Sequence, residues 1–489
     1  MSDVYGWLAG QSDKVIETSC AWVFLRGERA LKLKKPVDYG FLDYSTPEKR
    51  LWASRRELAF NRITAPDIYR AVRTVTRDGG AFALDGGGET VDYVVEMRAF
   101  DPASVLAEQP QRVDDDLAEQ LGRLIARFHA AAEANPEGGG VKALGFTIRT
   151  NADNLLALAD KLGASDVEHV VAATDAAFAA ASPLLERRRA GGFARHCHGD
   201  LHLANILLEH GQPILFDCIE FNDLLSQIDV LYDVAFLIMD LGFRGRLETA
   251  NRVLNAYLDE AARHFPPDLW DGLAALPVML SARASVRCHV TAYQDDLETA
   301  RRYLATAGRL LAPAPPTLTA IGGLSGTGKT TLARRVAPSL GGAPGAAILR
   351  SDEIRKRLAG VGPLDRLPRE SYTAKTSAKV YDEMLRLARR ILAAGHSVVL
   401  DAVFLKPEER AAAEVVAAEL GAPFRGVWLE GHPDQLRGRL AERTGDASDA
   451  GPAVLAEQLG RDPGPMAWEK LDAGEADAVA ARVIGGAKN

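Results

Sequence analysis

The sequence predicts an α/β multidomain chain: an N-terminal two-lobed α+β domain, then a C-terminal α/β domain with a parallel sheet. Three observations predict it. The length, 489 residues, gives room for two to four domains. Strand-like runs crowd the first hundred residues and then give way to helical apolar spacing. Beyond the proline-rich Leu311-Ala-Pro-Ala-Pro-Pro-Thr317, short apolar runs alternate with helical stretches, the pattern of a parallel sheet covered by helices.

Each element has its own signal. Trp22-Val-Phe-Leu25, Arg29-Ala-Leu-Lys-Leu33 and Val91-Asp-Tyr-Val-Val95 read as strands, separated by turn residues such as Arg26-Gly-Glu28 and Asp85-Gly-Gly-Gly88. A helix over about 47–63 interrupts them. Residues 114–310 read as mostly helical, as the spacing of Leu117, Leu121, Leu124, Ile125 and Phe128 illustrates. Prolines without N–H donors then end the helical run and make a short, stiff connector. Strands are expected over 318–321, 347–349, 397–400 and 427–429, with helices from 329, near 372–393 and near 407–420. The domains are accordingly 1–312, divided into a small lobe to about 100 and a large lobe over 101–312, and 317–489, the boundary falling near 314.

Composition excludes several classes. The hydrophobic share is 47% and the charged share 25%, the balance of an ordinary globular chain rather than a disordered or collagenous one. The most apolar run, 230–243, contains Asp233 and Asp240, so no spanning helix is expected. No basic flank precedes an apolar core in 1–10, so no signal peptide is expected either. The four cysteines form no CxxC pair, which argues against a disulfide framework or structural zinc and fits a reducing, cytoplasmic setting. With 58 Lys+Arg against 66 Asp+Glu the net charge is −8, which disfavours nucleic-acid binding by the chain as a whole.

The strongest motif is Gly323-Leu-Ser-Gly-Thr-Gly-Lys-Thr330, which fits GxxxxGK[ST] at every fixed position between an apolar strand and a helix. Gly323, Ser325, Gly326, Thr327 and Gly328 would curl the backbone so that N–H groups face phosphates. Lys329 would reach the β/γ oxygens, and Thr330, followed by Thr331, would offer its hydroxyl to Mg²⁺. Ser397-Val-Val-Leu-Asp401 is an apolar strand ending in a carboxylate, where a second Mg²⁺ contact belongs. Arg350-Ser-Asp352-Glu-Ile-Arg355 follows another strand; Ser351 or Asp352 could also cap a helix there.

These residues resemble the small P-loop kinases of the polynucleotide-kinase, gluconate-kinase and zeta-toxin type. The resemblance implies Asp352 as general base, Arg355 as an acceptor or phosphate ligand, and Asp401 on metal. Arg439 and Arg443, one helical turn apart with Arg437 nearby, read as a lid over the phosphates, Arg443 matching the family's lid end, or as a solvated arginine face. Between 350 and 390 the balance is +5. This suits an anionic acceptor, a 5′-hydroxyl nucleic-acid end being the alternative for this half, but it also suits a solvated helix face.

In the first domain, His198-Gly-Asp-Leu-His-Leu-Ala-Asn205 contains HxDxxxxN, and an apolar run leads to Asp217. Asp200 would orient or deprotonate a hydroxyl, while Asn205 and Asp217 would supply the hard oxygen ligands Mg²⁺ prefers. The set resembles the aminoglycoside phosphotransferase and choline kinase family, and residues 1–310 resemble a bacterial relative of it often fused to a P-loop kinase half. That implies a bilobal protein-kinase-like fold with ATP and Mg²⁺ as cofactors and catalysis by Asp200. It also implies structural roles for Asp229 and Asp233, and a phosphate-binding lysine on the third strand paired with Glu57. Lys32 and Lys34 share a strand face, so both are candidates, Lys32 the favoured one. Residues 17–20 would form the loop over the phosphates. Asp217-Cys-Ile-Glu220 stands where DFG would, leaving Glu220 as metal ligand, acceptor ligand or neither. His202 is an acceptor contact or a brace for the catalytic loop. His129 reads as a core histidine, and Arg283 with Arg287 as an acceptor-lining pair or, preferably, a surface pair.

The expectation is an ATP-dependent phosphotransferase acting twice on small-molecule hydroxyl acceptors, sugar-like for the first half and anionic for the second, with no membrane partner. The alternatives are a nucleotide-sensing half that regulates the other, or a nucleic-acid end kinase in the second half.

Overall fold

The structure, a computed structural model, describes residues 2–442 and 447–486. The small lobe is an antiparallel sheet of six strands: β1 (Lys14–Glu17), β2 (Ala21–Arg26), β3 (Arg29–Lys34), β4 (Tyr69–Asp78), β5 (Ala81–Leu84) and β6 (Glu89–Arg98). Their order is β1-β2-β3-β6-β4-β5. Helix α1 (Ser2–Ala9) packs Val4 and Leu8 against Phe24, Leu33, Val75 and Val94 of this sheet. Helix α2 (Pro47–Thr64) joins β3 to β4. Thr46 caps it by accepting from Lys49 N at 3.4 Å, and Pro47 sits in the first turn, where a missing N–H is tolerated. The inner face of α2 is polar, with Arg50, Glu57 and Asn61 buried, and ion pairs such as Arg50 to Asp92 (2.9 Å) hold it in place of an apolar stripe.

The large lobe contains α3 (Asp115–Ala131), α4 (Gly140–Ala157), α5 (Ala159–Leu162), α6 (Ala164–Ala190), α7 (Asp223–Ser226), α8 (Val230–Phe243), α9 (Leu247–Ala261), α10 (Leu276–Tyr293) and α11 (Leu297–Leu310). Helix α8 lies at its centre: every side chain from Val230 to Leu241 is buried, which suits its apolar all-round composition. Two small antiparallel ladders, β7 (Ala194–His196) with β10 (Gln227–Asp229) and β8 (Ile206–Glu209) with β9 (Gln212–Leu215), frame the loops that carry the candidate catalytic residues.

The C-terminal half is a five-stranded parallel sheet. Its strands are β11 (Leu318–Gly323), β12 (Ala347–Arg350), β13 (Val398–Asp401), β14 (Phe424–Glu430) and β15 (Glu469–Asp472), ordered β12-β13-β11-β14-β15. The helices are α12 (Lys329–Val336), α13 (Ser351–Leu358), α14 (Ala374–Ala393), α15 (Pro407–Glu419), α16 (Pro433–Glu442), α17 (Pro452–Leu459) and α18 (Ala476–Gly486). Every strand of the sheet except its edges is wholly apolar or glycine in its buried positions apart from Thr319 and Asp401, as a sheet covered on both faces requires.

The proline-rich stretch looks like a spacer in the sequence, yet the halves it connects interlock. Strand β12 is an edge strand, and α9 of the first half closes that edge with two asparagines. Asn255 Oδ1 accepts from Ile348 N at 2.6 Å, and Asn251 Nδ2 donates to Ala346 O at 3.0 Å. Ion pairs surround the contact: Arg123 with Asp259 (2.9 Å) and Glu353 (3.7 Å), Arg357 with Asp259 (3.4 Å), Arg334 with Glu119 (2.6 Å) and Arg390 with Asp268 (2.8 Å). An open edge strand is an aggregation template, and a covering helix is one of the standard protections. Replacing Asn251 and Asn255 together by alanine leaves edge groups unpaired and is expected to cost about 1–3 kcal/mol. Urea unfolding of the full chain checks this, an unchanged midpoint counting against the edge-capping role.

Candidate active sites

The first site lies between the lobes. The loop from His198 to Asn205 is held from beneath by Asp233 on α8. Its Oδ2 accepts from His198 N (3.0 Å) and its Oδ1 from Gly199 N (2.8 Å), and His129 Nε2 donates to Oδ2 at 3.0 Å. Tyr257 completes the brace at His129 Nδ1 (3.0 Å). Burial would raise the Asp233 carboxyl, but the hydrogen bond from His129, together with His198 and Arg283 nearby, holds it below the usual carboxylate range. His129, Cys197 and Asp233 bring ligand-type atoms within 4.8 Å of one another, but each is spent on this brace or, for Cys197, on Ile228 O (3.5 Å). His129 is thus a buried core histidine with a supporting task.

Arg283 departs from the surface pair expected. It is buried, donates to Gly199 O (2.9 Å) and Tyr232 O (3.2 Å), and lies over the Tyr232 ring at 3.8 Å. A helix that is apolar on nearly every side draws such an arginine inward, where loop carbonyls and rings satisfy it. Asp229 plays a related part, accepting from Arg188 at 2.7 and 2.9 Å while capping α8 at Leu231 N.

On the loop, Asp200 accepts from Asn205 Nδ2 at 2.9 Å, and its Oδ2 lies 3.4 Å from His202 Nε2. Desolvation would raise the Asp200 carboxyl; His202, His198 and Arg287 hold it below the ordinary range instead. With the Asn205 amide nitrogen spent on Asp200, its carbonyl oxygen is the atom left for a cation. His202 also accepts from Ala204 N (3.2 Å), so it braces the loop and touches Asp200 at once. Asp217 has φ +60°, an uncommon conformation for a residue with a side chain, and aims a half-exposed carboxylate at Lys32 Nζ (2.7 Å).

The small lobe closes the site. Lys32 Nζ binds both Asp217 and Glu57 Oε1 (2.8 Å), so the three groups meet at one point. Lys34 is buried and points at Glu57 Oε2 (2.7 Å), Tyr44 OH (3.2 Å) and Glu220 Oε1. Glu220 therefore sits in a buried pair with Lys34 and Tyr44 rather than facing the Asp217 carboxylate. Residues 17–20 form the β1–β2 turn, tied by Lys35 to Glu17 (2.6 Å) and Thr18 O (2.6 Å) and by Tyr39 OH to Ser19 O (3.1 Å). Sequence reasoning passed over Tyr44, Asn61 and Tyr69, which hold the Asp217 segment from the small lobe; nothing in their local pattern marks them.

The second site lies where β11 turns into α12. Gly323, Gly326 and Gly328 adopt φ of +141°, +87° and +82°, and a Cβ on Gly326 would meet Leu436 O at 2.9 Å. Lys329 Nζ donates to Leu324 O (2.9 Å) across the loop, and Thr330 Oγ1 donates to Asp401 Oδ2 (2.6 Å) at its end. Thr327 bonds Leu324 O within the loop, Ser325 N donates to Gln458 Oε1 of α17 (2.9 Å), and Thr331 continues α12. Leu436, Leu440 and Leu455 of α16 and α17 pack over Leu324, so these helices roof the loop. Arg437 pairs with Asp434 (2.6 Å) and Arg439 is exposed, while Arg443 lies outside the described residues.

Asp352 is in the first turn of α13 but does not cap it; Arg350 is the cap residue and makes no side-chain cap bond. Burial raises the Asp352 carboxyl above its ordinary value, against Arg350, Ser448 and Lys329. Arg350 links this turn to the strand end, 3.5 Å from Asp401 and 3.0 Å from Glu353. Arg355 is buried over the Tyr372 ring (4.8 Å), donates to Ser371 O (2.9 Å) and Ser377 Oγ (3.3 Å), and keeps a buried Nε with no partner among the described residues. Much of the positive charge over 350–390 is paired internally: Lys356 with Asp449, Arg386 with Glu383, Arg389 with Glu419, and Arg390 with Asp268.

Comparison with known proteins assigns the two halves. Residues 54–276 match the model of the phosphotransferase enzyme family, and residues 318–463 match that of an AAA domain. Uncharacterized proteins of Mycobacterium tuberculosis and Mycobacterium bovis are 33% identical to this chain over 464 residues, covering 91% of it and 89% of their own length. Among solved structures, a GDP complex of aminoglycoside 2′-phosphotransferase-IIIa is 14% identical and covers 64% of this chain and 99% of that one (TM-score 0.40). Mycobacterium tuberculosis APS kinase, solved with AMPPNP and APS, is 22% identical and covers 36% of this chain and 100% of that one (TM-score 0.28). The chain belongs to the family of these mycobacterial proteins, and it is a phosphotransferase built of two kinase-type halves, a phosphotransferase enzyme family domain followed by a P-loop AAA-type domain.

Proposed function

We propose that each half transfers the γ-phosphoryl group of ATP to a hydroxyl of a small acceptor, a sugar or amino sugar for the first half and an anionic molecule for the second. The observation that carries the reading is that each half sets a lysine, oxygen ligands of the hard type and a separate carboxylate on adjoining segments. Lys32 bonds Asp217, Asn205 bonds Asp200 and accepts from Phe216 N, and Thr330, next to Lys329, bonds Asp401. In the first half these are Lys32, Asn205 with Asp217, and Asp200. In the second they are Lys329, Thr330 with Asp401, and Asp352. Both donor sets fit Mg²⁺, which when bound would neutralise charge on the phosphates.

The protein's own groups then have defined tasks. Lys32, kept in line by Glu57, and Lys329, at the end of the glycine loop, draw the phosphates into place. Asp200 and Asp352 orient the incoming hydroxyl. As its oxygen bonds to phosphorus and the bond to ADP breaks, the hydroxyl proton passes to the carboxylate. The buried, partly unpartnered Arg355 beside Asp352 supports an acidic acceptor for the second half. No described helix is long and apolar enough to cross a membrane, and the four cysteines are unpaired, which supports a cytoplasmic setting.

A chain of contacts favours a second reading, in which the halves also report on one another. Asp401 lies near Arg350, Arg350 bonds Glu353, and Glu353 faces Arg123 on α3, whose His129 braces the loop of Asp200 through Asp233. The coupling would be an addition to two activities, not a replacement for either.

Three outcomes test these readings. In the full chain, Asp200→Ala and Lys329→Ala are expected to remove separate activities, each by about 10³-fold or more, as measured by ADP release against a panel of hydroxylated acceptors. Loss of neither activity would sink the two-site reading. The acid limb of the pH–rate profile is expected at higher pH for the second half than for the first. Each carboxylate works deprotonated, and Asp352 is raised where Asp200 is lowered; coincident limbs would contradict the assigned bases. For coupling, Lys329→Ala is expected to shift nucleotide affinity at the first site by about fivefold or more. Arg123→Ala should abolish that shift while Arg127→Ala keeps it, and titration calorimetry showing no shift at all would exclude communication.

A further inference from the structure

Strand β3 brings two lysines to the first site where a single phosphate-binding lysine would serve. Lys32 and Lys34, two residues apart, leave the same face of the strand. Glu57 lies between them, giving Oε1 to Lys32 (2.8 Å) and Oε2 to Lys34 (2.7 Å). The large lobe answers with two carboxylates three residues apart, Asp217 on Lys32 (2.7 Å) and Glu220 on Lys34. Tyr44 OH donates to the same Glu220 oxygen at 2.6 Å. Lys34, Glu57 and Glu220 are 1%, 0% and 4% exposed, so this second pair stands behind the first, out of reach of solvent.

The two pairs differ in what competes for them. On the kinase reading of this half, on which the inference rests, phosphate competes for Lys32 and a cation competes for Asp217, so their mutual bond is given up when substrate binds. Lys34 and Glu220 face no such competitor. The segment they anchor needs holding, because Asp217 sits in the left-handed region and would relax without support. Tyr69 OH accepts from Asp217 N (3.2 Å), Asn61 Oδ1 from Cys218 N (3.0 Å) and His198 O from Ile219 N (2.8 Å), so backbone bonds reach Ile219, the first two of them to the small lobe. At Glu220 the tie to the small lobe is the side chain itself, on Lys34 and Tyr44.

We propose that Lys34 is a positioning residue. It is a permanent anchor that keeps Glu57 turned toward Lys32 and, through Glu220, holds residues 217–220 in place once Lys32 has exchanged Asp217 for phosphate. Lys32 touches substrate; Lys34 acts through Glu57 and Glu220. The arrangement separates two tasks, charge delivery and loop retention, that one lysine could not perform in succession.

The test uses the full chain carrying Lys329→Ala, so that only the first site binds nucleotide. Lys34→Met leaves two buried carboxylates short of a partner and can unfold the lobe. The double variant Lys34→Met with Glu220→Met removes the far-end pair without leaving Glu220 as an unpaired charge, and it is the deciding one. Two readouts are taken. The first is amide hydrogen exchange of Cys218 and Ile219 in metal-free, nucleotide-free protein. The second is the gain in affinity that Mg²⁺ gives a fluorescent ADP analogue. The double variant is expected to exchange about tenfold faster at these amides and to lose about tenfold of the Mg²⁺ gain, with metal-free affinity held within about twofold. Lys32→Met is expected to lose nucleotide affinity in both conditions with exchange unchanged. Unaltered exchange together with an unaltered Mg²⁺ gain in the double variant would overturn the role of Lys34 and leave the kinase reading standing. A parent chain with no Mg²⁺-dependent nucleotide binding would overturn that reading, and the role of Lys34 with it.

Discussion

The carboxylate of Asp233 is where the architecture of the N-terminal half converges. A charge at the centre of a lobe is tolerated only when hydrogen bonds surround it, and here two backbone amides and a histidine do so. The amides belong to the very loop that presents Asp200, so the requirement that a buried charge be satisfied is also what shapes the site. Arg283 acts from the other side, gripping the carbonyl of Gly199 and keeping the glycine in its left-handed turn. Below Asp233, His129 passes the constraint to α3, and α3 carries it to the contact with the C-terminal half.

That contact carries charged and amide side chains as well as apolar ones. Arg123 stands at its middle, within reach of Asp259, Glu260 and Glu353. Burial and neighbouring arginines push Arg334 below its usual range, the sign of a place where positive charge is crowded and each carboxylate is needed. The apolar core is nonetheless continuous across the halves: Val253 and Leu254 of the large lobe belong to the same buried cluster as Ala347 and Leu349 of β12.

Much of this was legible in the residues, for physical reasons that differ by element. A glycine loop between strand and helix has one local solution, so the Gly323–Thr330 turn could be read from spacing, whereas the Thr330–Asp401 contact emerges only once β11 and β13 pair. Helices with an apolar stripe, α3 among them, were equally plain. Strands of three or four residues, such as β7 and β10, carry too few side chains to show a period, and they appear only once tertiary pairing is known. Arg283 was misplaced because an arginine on a helix face reads as solvated until the carbonyl that claims it is located. The partition between Lys32 and Lys34 was likewise closed to sequence: residues two apart on one strand share a face, and only the carboxylates of a distant loop tell them apart.

The asparagine closure of β12 has a consequence for biosynthesis. A ribosome delivers α9 before any strand of the parallel sheet exists, so the nascent β12 meets a finished template whose side-chain amides already mark its register. Chain order thus works as an internal chaperone: the half made first shields the most association-prone border of the half made second, and the reverse gene arrangement would forfeit that protection.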